Sequence, residues 1–148
     1  MTKQAKLKIR KAKLSDCPAV HRLAKTPGLT NPGGKAPNIN WLKLLTKNRG
    51  IFLVASLNHK IVGFILGEKL IGIAVMVWLM AVEKNLRGQG IGRALVKAFE
   101  KTCLQQGRNL FVAYAYAKNP VIIKMLKKYG FNQGNLFYEF LKLPKAWK

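Results

Sequence analysis

The residues LMAVEKNLRGQGIGRALVKAF, from Leu79 to Phe99, decide how the rest of the chain is interpreted. An apolar run ends at Val82, a short polar turn follows, and glycine then stands at alternate positions before a helical pattern begins. The stretch therefore predicts a strand, a glycine loop and a helix. Because glycine has no Cβ, the backbone N–H groups of such a loop can approach an anion closely, and the positive end of the helix dipole points the same way. The loop is predicted to bind phosphate groups.

The spacing of these residues excludes two common phosphate-binding motifs. The dinucleotide motif needs a glycine where Arg93 stands, and no acidic residue follows at the distance expected for a ribose contact. The P-loop needs G-x-x-x-x-G-K followed by Ser or Thr, and this is absent as well. The pattern that remains, Arg87-x-x-Gly90-x-Gly92 directly after an apolar strand, resembles the acetyl-CoA loop of the GCN5-related N-acetyltransferase (GNAT) superfamily.

A second motif, nearer the end of the chain, resembles the same superfamily. Asn119 is followed eleven and twelve residues later by Gly130-Phe131, and Lys128 matches a lysine that is common two residues before this glycine. Leu126, in contrast, stands where the family usually has its catalytic tyrosine. The resemblance covers essentially the whole chain.

The resemblance implies a set of residues that bind acetyl-CoA as cosubstrate, and it implies no metal. Backbone groups at the end of the strand are expected to bind the pantetheine and polarise the thioester carbonyl: Met80, Ala81 and Val82. The loop is expected to hold the pyrophosphate: Arg87, Gly88, Gln89, Gly90, Ile91, Gly92 and Arg93. The side chain of Asn119 is expected to hold the pantetheine arm.

The order of the elements predicts one α/β (α+β) domain over residues 1–148, with a mixed, mostly antiparallel sheet flanked by helices. The predicted elements are, in order, a strand around Leu7 to Ile9, a helix from Ser15-Asp16 to about Lys25, a loop from Thr26 to Asn40, a helix at Trp41 to Leu45, a hairpin of Ile51 to Leu57 and Ile61 to Leu66, a strand from Leu70 to Val82, a helix from Ile91 to Gln106, a strand from Asn109 to Ala117, a helix from Asn119-Pro120 to Tyr129-Gly130-Phe131, and a strand from Leu136 to Leu143. Only 17 residues follow Phe131, so the terminal strands are expected to be shortened and the acceptor cleft to be open or completed by a second subunit.

The composition is strongly basic, with 27 Lys and Arg against 5 Asp and Glu and a formal net charge of +22. Such a field attracts polyanions, so RNA or the ribosome is one expected partner, and a basic surface that serves only solubility is the alternative. The cysteines, Cys17 and Cys103, suggest neither a disulfide framework nor a metal site. The longest apolar run has 13 residues, too short for a membrane helix, and we expect a cytoplasmic protein.

Acetyl transfer to an amine needs a bound CoA, a neutral amine, stabilisation of the oxyanion and a proton for the departing thiolate. None of the carboxylates Glu68, Glu83 and Glu100 stands out as the general base. Tyr114 and Tyr116 are predicted as proton donors in place of the missing tyrosine, because they alternate on one face of the predicted strand from Asn109 to Ala117. The alternative is that both tyrosines only pack or form hydrogen bonds.

Two functions follow from the sequence. The first is an acetyl-CoA-dependent N-acetyltransferase that acts on a primary amine, a protein α-amine or a lysine, because small protein acetyltransferases resemble this minimal layout. Small cationic acceptors are less favoured, since the net charge repels them. The second is a non-catalytic module that keeps the fold and binds RNA or the ribosome through its lysines, although the aromatic pattern of RNA-binding domains is absent.

Overall fold

The structure, a computed structural model, describes residues 5–25, 36–47, 50–140 and 142. Its five strands form one sheet in which spatial order follows chain order. They are β1 (Lys8–Lys11), β2 (Gly50–Leu57), β3 (Lys60–Lys69), β4 (Ala74–Val82) and β5 (Leu110–Val112). The first four strands pair antiparallel, and β5 pairs parallel with β4. The prediction of a mixed, mostly antiparallel sheet is therefore confirmed.

Helices cover both faces of this sheet. They are α1 (Cys17–Leu23), α2 (Ile39–Leu45), α3 (Ile91–Gln105) and α4 (Pro120–Lys128). Helices α1 and α2 bury Val20 and Leu42 in a core with Phe52 and Phe64, which we call the α1–α2 face. Helix α3 buries Ile91, Leu95, Phe99 and Cys103 against the other face, and Met125 and Tyr129 from α4 and its C-terminal end pack there too, so we call it the α3–α4 face. Within the described residues no helix combines the length and hydropathy needed to cross a membrane.

The hairpin of β2 and β3 forms as expected. Asn58 and His59 occupy its two-residue turn with φ of 48° and 65°, a conformation that matches the right-handed twist of the flanking strands. His59 is thus a turn residue, at the opposite end of β3 from Lys69.

Strand β1 lies slightly later than predicted and β3 extends to Lys69, but three other predicted strands differ most from the structure. The strand expected from Leu70 begins at Ala74, because Gly72 has a φ of 76° that belongs to a turn. The strand expected to reach Ala117 ends at Val112, because β4 offers β5 pairing partners only as far as Met76. Of the strand expected from Leu136 to Leu143, the described residues 136–140 and 142 form none, and 141 and 143 lie outside the description. An alternating pattern becomes a strand only where a sheet edge pairs with it.

The helix starts also differ from the prediction. The carboxylate of Asp16 does not cap α1. It accepts hydrogen bonds from the Lys13 N–H at 2.7 Å and from both terminal nitrogens of Arg10, so it closes the 3₁₀ turn Leu14–Asp16 and ties it to β1. Helix α1 ends at Leu23 rather than near Lys25. Helix α2 begins earlier than predicted, because the Asn38 side chain accepts from the N–H of Asn40 and caps it.

Cys17 and Cys103 are free thiols in the two cores. Burial raises the pKa of both, that of Cys103 to about 11. A thiol with a raised pKa is protonated near neutral pH and is a poor nucleophile, so both cysteines serve packing.

Candidate active site

The sheet splits between β4 and β5. Leu79 lies opposite Leu66 and Val77 lies opposite Gly67, so Trp78 is an extra residue on β4 and forms a β-bulge. On the other edge of β4, β5 pairs only with Ala74, Val75 and Met76, which precede the bulge. Beyond the bulge, the edge of β4 that faces β5 has no strand partner in the part of the chain that the structure describes. Its backbone groups, except the Val82 carbonyl that accepts from Arg87 Nε, are available to a ligand.

Met80, Ala81 and Val82 lie on this unpaired part of β4. Their side chains are buried, with Met80 and Val82 on the α3–α4 face and Ala81 on the α1–α2 face. Side chains of a strand stand perpendicular to the sheet, whereas backbone N–H and C=O groups point along it. In an antiparallel strand these groups alternate between the two edges. The Glu83 N–H donates to Val62 on β3, so in this register the backbone of Ala81 also faces β3, whereas the backbones of Met80 and Val82 face the split. The contact of all three residues with pantetheine stays a prediction.

The glycine loop connects the end of β4 to α3. Gly88 and Gly90 have φ of 77° and 86°, which only glycine adopts without strain, and a Cβ at either would have no atom within 4 Å. Gly90 is the N-cap residue of α3 and offers no side-chain cap. The first N–H groups of the helix, those of Ile91, Gly92 and Arg93, have no acceptor within the helix, and the described residues leave the space at Gly88 and Gly90 open. The loop fits the pyrophosphate expected from the sequence.

Arg87 joins the loop to β4. Its Nε donates to the Val82 carbonyl at 3.0 Å, and the other guanidinium nitrogens form no hydrogen bond to a described residue. The guanidinium is therefore held beside the loop with two nitrogens free for a phosphate. Gln89 and Arg93 are exposed next to it.

Tyr129 is a residue of this site that the sequence analysis missed. A Cβ on Gly92 would lie 2.5 Å from the Tyr129 hydroxyl oxygen, so the missing side chain of Gly92 makes room for this tyrosine at the first turn of α3. Gly92, unlike Gly90, has helical backbone, where glycine costs about 1 kcal/mol relative to alanine. A glycine inside a predicted helix was the available signal that something packs closely there.

Asn119 caps α4. Its Oδ1 accepts from the N–H of Ile122 at 3.3 Å, which leaves the side-chain NH₂ as the donor for a ligand. At the other end, Gly130 has a φ of 87° and the Phe131 N–H donates to the Leu126 carbonyl at 3.1 Å. The second motif therefore fixes both ends of one helix. The contact of Asn119 with pantetheine stays a prediction.

Leu126 lies in an apolar setting. It lines a cavity of about 40 Å³ together with Phe99, Phe111, Met125 and Phe131. The residue that replaces the usual tyrosine can pack there but cannot supply a proton.

Tyr114 and Tyr116 do not lie on a strand, because β5 ends at Val112 and residues 113–116 are irregular. Their side chains are 69% and 55% exposed, on the segment that leads from β5 to α4. The strand argument behind their prediction is therefore wrong, and their role as proton donors stays a prediction.

The carboxylates considered as bases lie in three different environments. Glu83 pairs with Arg22 of α1 at 3.2 Å, Glu68 accepts a hydrogen bond from the Trp78 indole, and Glu100 lies on α3. Among the described residues, no three His, Cys, Asp or Glu side chains are grouped as metal ligands.

Comparison with known proteins identifies this arrangement. Residues 18–131 match the acetyltransferase (GNAT) family. The acetyltransferase plu1384 of Photorhabdus laumondii subsp. laumondii is 30% identical over 122 residues, which is 82% of this chain and 84% of that protein. Ard1 from Thermoplasma volcanium is 28% identical with a TM-score of 0.75, covering 87% of this chain and 84% of that one. The ribosomal-protein-S18-alanine N-acetyltransferase of Escherichia coli shares the fold, with a TM-score of 0.73 at 18% identity, covering 88% and 80%.

The family match spans the bulged strand β4, the glycine loop and the Asn119 to Phe131 motif. The chain therefore belongs to the GNAT family of acetyltransferases and is an acetyl-CoA-dependent N-acetyltransferase.

Proposed function

We propose that the acceptor is a protein or peptide amine, an α-amine or a lysine, and that it attacks the thioester directly in a ternary complex. The observation that carries this proposal is the split between β4 and β5 that leads to the open glycine loop. The split joins the two faces of the sheet. A cosubstrate held from the α3–α4 face leaves the α1–α2 face for the amine.

The chain's own residues have separate tasks in this proposal. The first turn of α3 and Arg87 hold the pyrophosphate, and the β4 backbone from Met80 to Val82 orients the pantetheine arm. Acetyl-CoA, when bound, supplies the activated acetyl group and a thiol leaving group. Asn119 offers its NH₂ to the arm, and Tyr114 or Tyr116 supplies the proton that Leu126 cannot.

Two observations support a macromolecular acceptor. Residues 132–140 are exposed and form no strand across the mouth of the split, so a bulky acceptor can approach. One structurally similar enzyme is named for the alanine amine of a ribosomal protein. The acceptor is tested by incubating the protein with acetyl-CoA and a cell extract and identifying the acetylated products by mass spectrometry. Acetylated small molecules without acetylated peptides would contradict the proposal.

The cosubstrate site is tested with a matched pair of glycines. Gly90→Ala places a Cβ in the phosphate site and strains a left-handed residue by about 1 kcal/mol. Gly72 has a φ of 76° and equally open surroundings in the β3–β4 turn, so Gly72→Ala carries the same strain away from the site. We expect calorimetry to show acetyl-CoA affinity reduced at least tenfold in Gly90→Ala, about 1.4 kcal/mol, because the new Cβ keeps the phosphate away from the loop N–H groups, and unchanged in Gly72→Ala. Equal affinities in both variants would remove the loop from the site.

A further inference from the structure

Three side chains from separate elements meet beside the bulge of β4. The indole nitrogen of Trp78 donates to Oε2 of Glu68 on β3 at 3.1 Å. The ring of Trp41 on α2 meets the ring of Trp78 edge to face, with centroids 6.3 Å apart and planes at 79°. Trp78 keeps 44% of its surface exposed, although it is one of the largest apolar side chains.

This cluster lies on the α1–α2 face of the sheet. Trp41 and Leu79 pack against the core of that face, whereas Val77 and Met80 pack in the core of the other face. The bulge shifts the alternation of side chains by one residue, and this shift directs Trp78 toward Trp41. The cluster is thus separated by the sheet from the glycine loop and lies on the face left for the acceptor.

The cluster is also close to the split. Trp78 precedes Met80 by two residues, and a strand rises about 3.3 Å per residue, so their Cα atoms lie roughly 7 Å apart. A group bound against Trp78 and Glu68 would therefore be one or two residues of an extended peptide away from an amine at Met80.

Glu68 differs from the other carboxylates in its partner. Asp16 and Glu83 each pair with an arginine, whereas Glu68, like Glu100 and Glu139, has no ion pair with any described residue in a chain of net charge +22. Its partner is a neutral indole N–H. A half-buried carboxylate held next to two indole rings favours a cation, which gains an ionic hydrogen bond and contact with an aromatic face. An apolar group in the same place would only desolvate the carboxylate.

We propose that Glu68, Trp41 and Trp78 form a subsite for a basic side chain of the acceptor, a lysine or arginine about 7–10 Å from the reacting amine. The proposal rests on the proposed function, because it takes the amine to enter the split from the α1–α2 face. It also gives the protein a local attraction for basic acceptors that its net charge would otherwise repel.

The test uses peptides of equal length with a free α-amine and a single lysine placed at position 2, 3 or 4, compared with norleucine at the same position. At one of these positions we expect kcat/KM for the lysine peptide to exceed that for the norleucine peptide about tenfold, mainly through KM. Glu68→Gln should abolish this preference, because the amide oxygen still accepts from the Trp78 indole while the charge is lost. Glu100→Gln, which removes the same charge on α3, should keep it.

A binding measurement separates this proposal from the proposed function. The nuclear magnetic resonance signal of the Trp78 indole N–H should shift on addition of the preferred lysine peptide and not with its norleucine counterpart. A shift without acetyl transfer to any peptide would contradict the proposed function and support the subsite. Equal responses to both peptides, no response to either, or a preference that persists in Glu68→Gln would overturn the subsite. A Glu68-dependent shift with spermidine but with none of the peptides would assign it to a small polyamine and overturn the peptide side chain as its ligand.

Discussion

Leu126 stands where the family usually has its catalytic tyrosine, and leucine cannot donate a proton to the departing thiolate. The tyrosines nearest along the chain to the open end of β5 are Tyr114 and Tyr116, both exposed to the solvent. A general acid contributes typically 10²–10⁴-fold. We therefore expect Tyr114→Phe or Tyr116→Phe to lower kcat at least tenfold, while the affinity for acetyl-CoA measured by calorimetry stays within a factor of two.

Tyr138 provides the control for these variants, because it is 91% exposed and lies beyond α4. Tyr138→Phe should turn over like the parent. If the other two variants behave in the same way, neither Tyr114 nor Tyr116 donates the proton.

At the scale of elements, Gly92 and Tyr129 set how α4 packs on α3. In Gly92→Ala the new Cβ would be 2.5 Å from the Tyr129 hydroxyl oxygen but 3.5 Å from Cζ, which is ordinary contact. Overpacking costs about 1–3 kcal/mol, and the better helix propensity of alanine offsets about 1 kcal/mol of it, so we expect Gly92→Ala to destabilise the protein by at most about 2 kcal/mol. Combining it with Tyr129→Phe should restore most of that loss, as measured by urea unfolding. Additive effects of the two changes would show that the contact does not couple the helices.

The ion pair between Arg10 on β1 and Asp16, just before α1, should make the free energy of unfolding depend on pH. We call this pair the clasp. The hydrogen bonds from Arg10 lower the pKa of Asp16, so the unfolded chain binds a proton more readily than the folded one. The stability that Asp16 provides is present above about pH 4 and is lost as the pH falls through the lowered pKa. Asp16→Asn should cost about 1.5–3 kcal/mol at pH 7 and progressively less in acid.

Glu83 offers a matched test of this clasp by chemical denaturation. Its pair with Arg22 is more exposed, so Glu83→Gln should cost at most about 1 kcal/mol. If the difference in unfolding free energy between the parent and Asp16→Asn does not change between pH 7 and pH 3, the clasp does not hold Asp16 ionised.

How far the sequence predicts these elements depends on where their partners are. The hairpin of β2 and β3 and the start of α4 at Asn119-Pro120 rest on neighbouring residues, and both formed as predicted. The end of β5 depends on the bulge at Trp78, which arises from pairing across β3 and β4 and has no local pattern. Glu68 and Trp41 are remote from Trp78 in sequence, so their meeting at the acceptor face could not be predicted either.

At the scale of the whole molecule, the charge distribution remains to be explained. The structure pairs only two arginines with carboxylates among the described residues, so most of the basic side chains within these residues are left to interact with uncharged groups, solvent or a partner. Acetyl-CoA carries too few charges to account for such a surface. The chemistry of a polyanion such as RNA fits this charge, and RNA binding by this protein stays a prediction.

We therefore expect the protein to bind a single-stranded RNA of about 20 nucleotides near physiological salt. Each phosphate contact releases condensed counterions, so the logarithm of the binding constant should fall with the logarithm of the salt concentration by about 0.7 per contact. Fluorescence anisotropy across a salt series measures this slope, and acetyl-CoA binding, followed in the same buffers, should depend on salt far less. Saturating acetyl-CoA should not displace the RNA if the lysines outside the glycine loop carry the interaction. Polyglutamate of equal charge is the control, because equal binding would make the partner any polyanion. Absence of RNA binding even in low salt would leave the positive charge as a property of the surface alone.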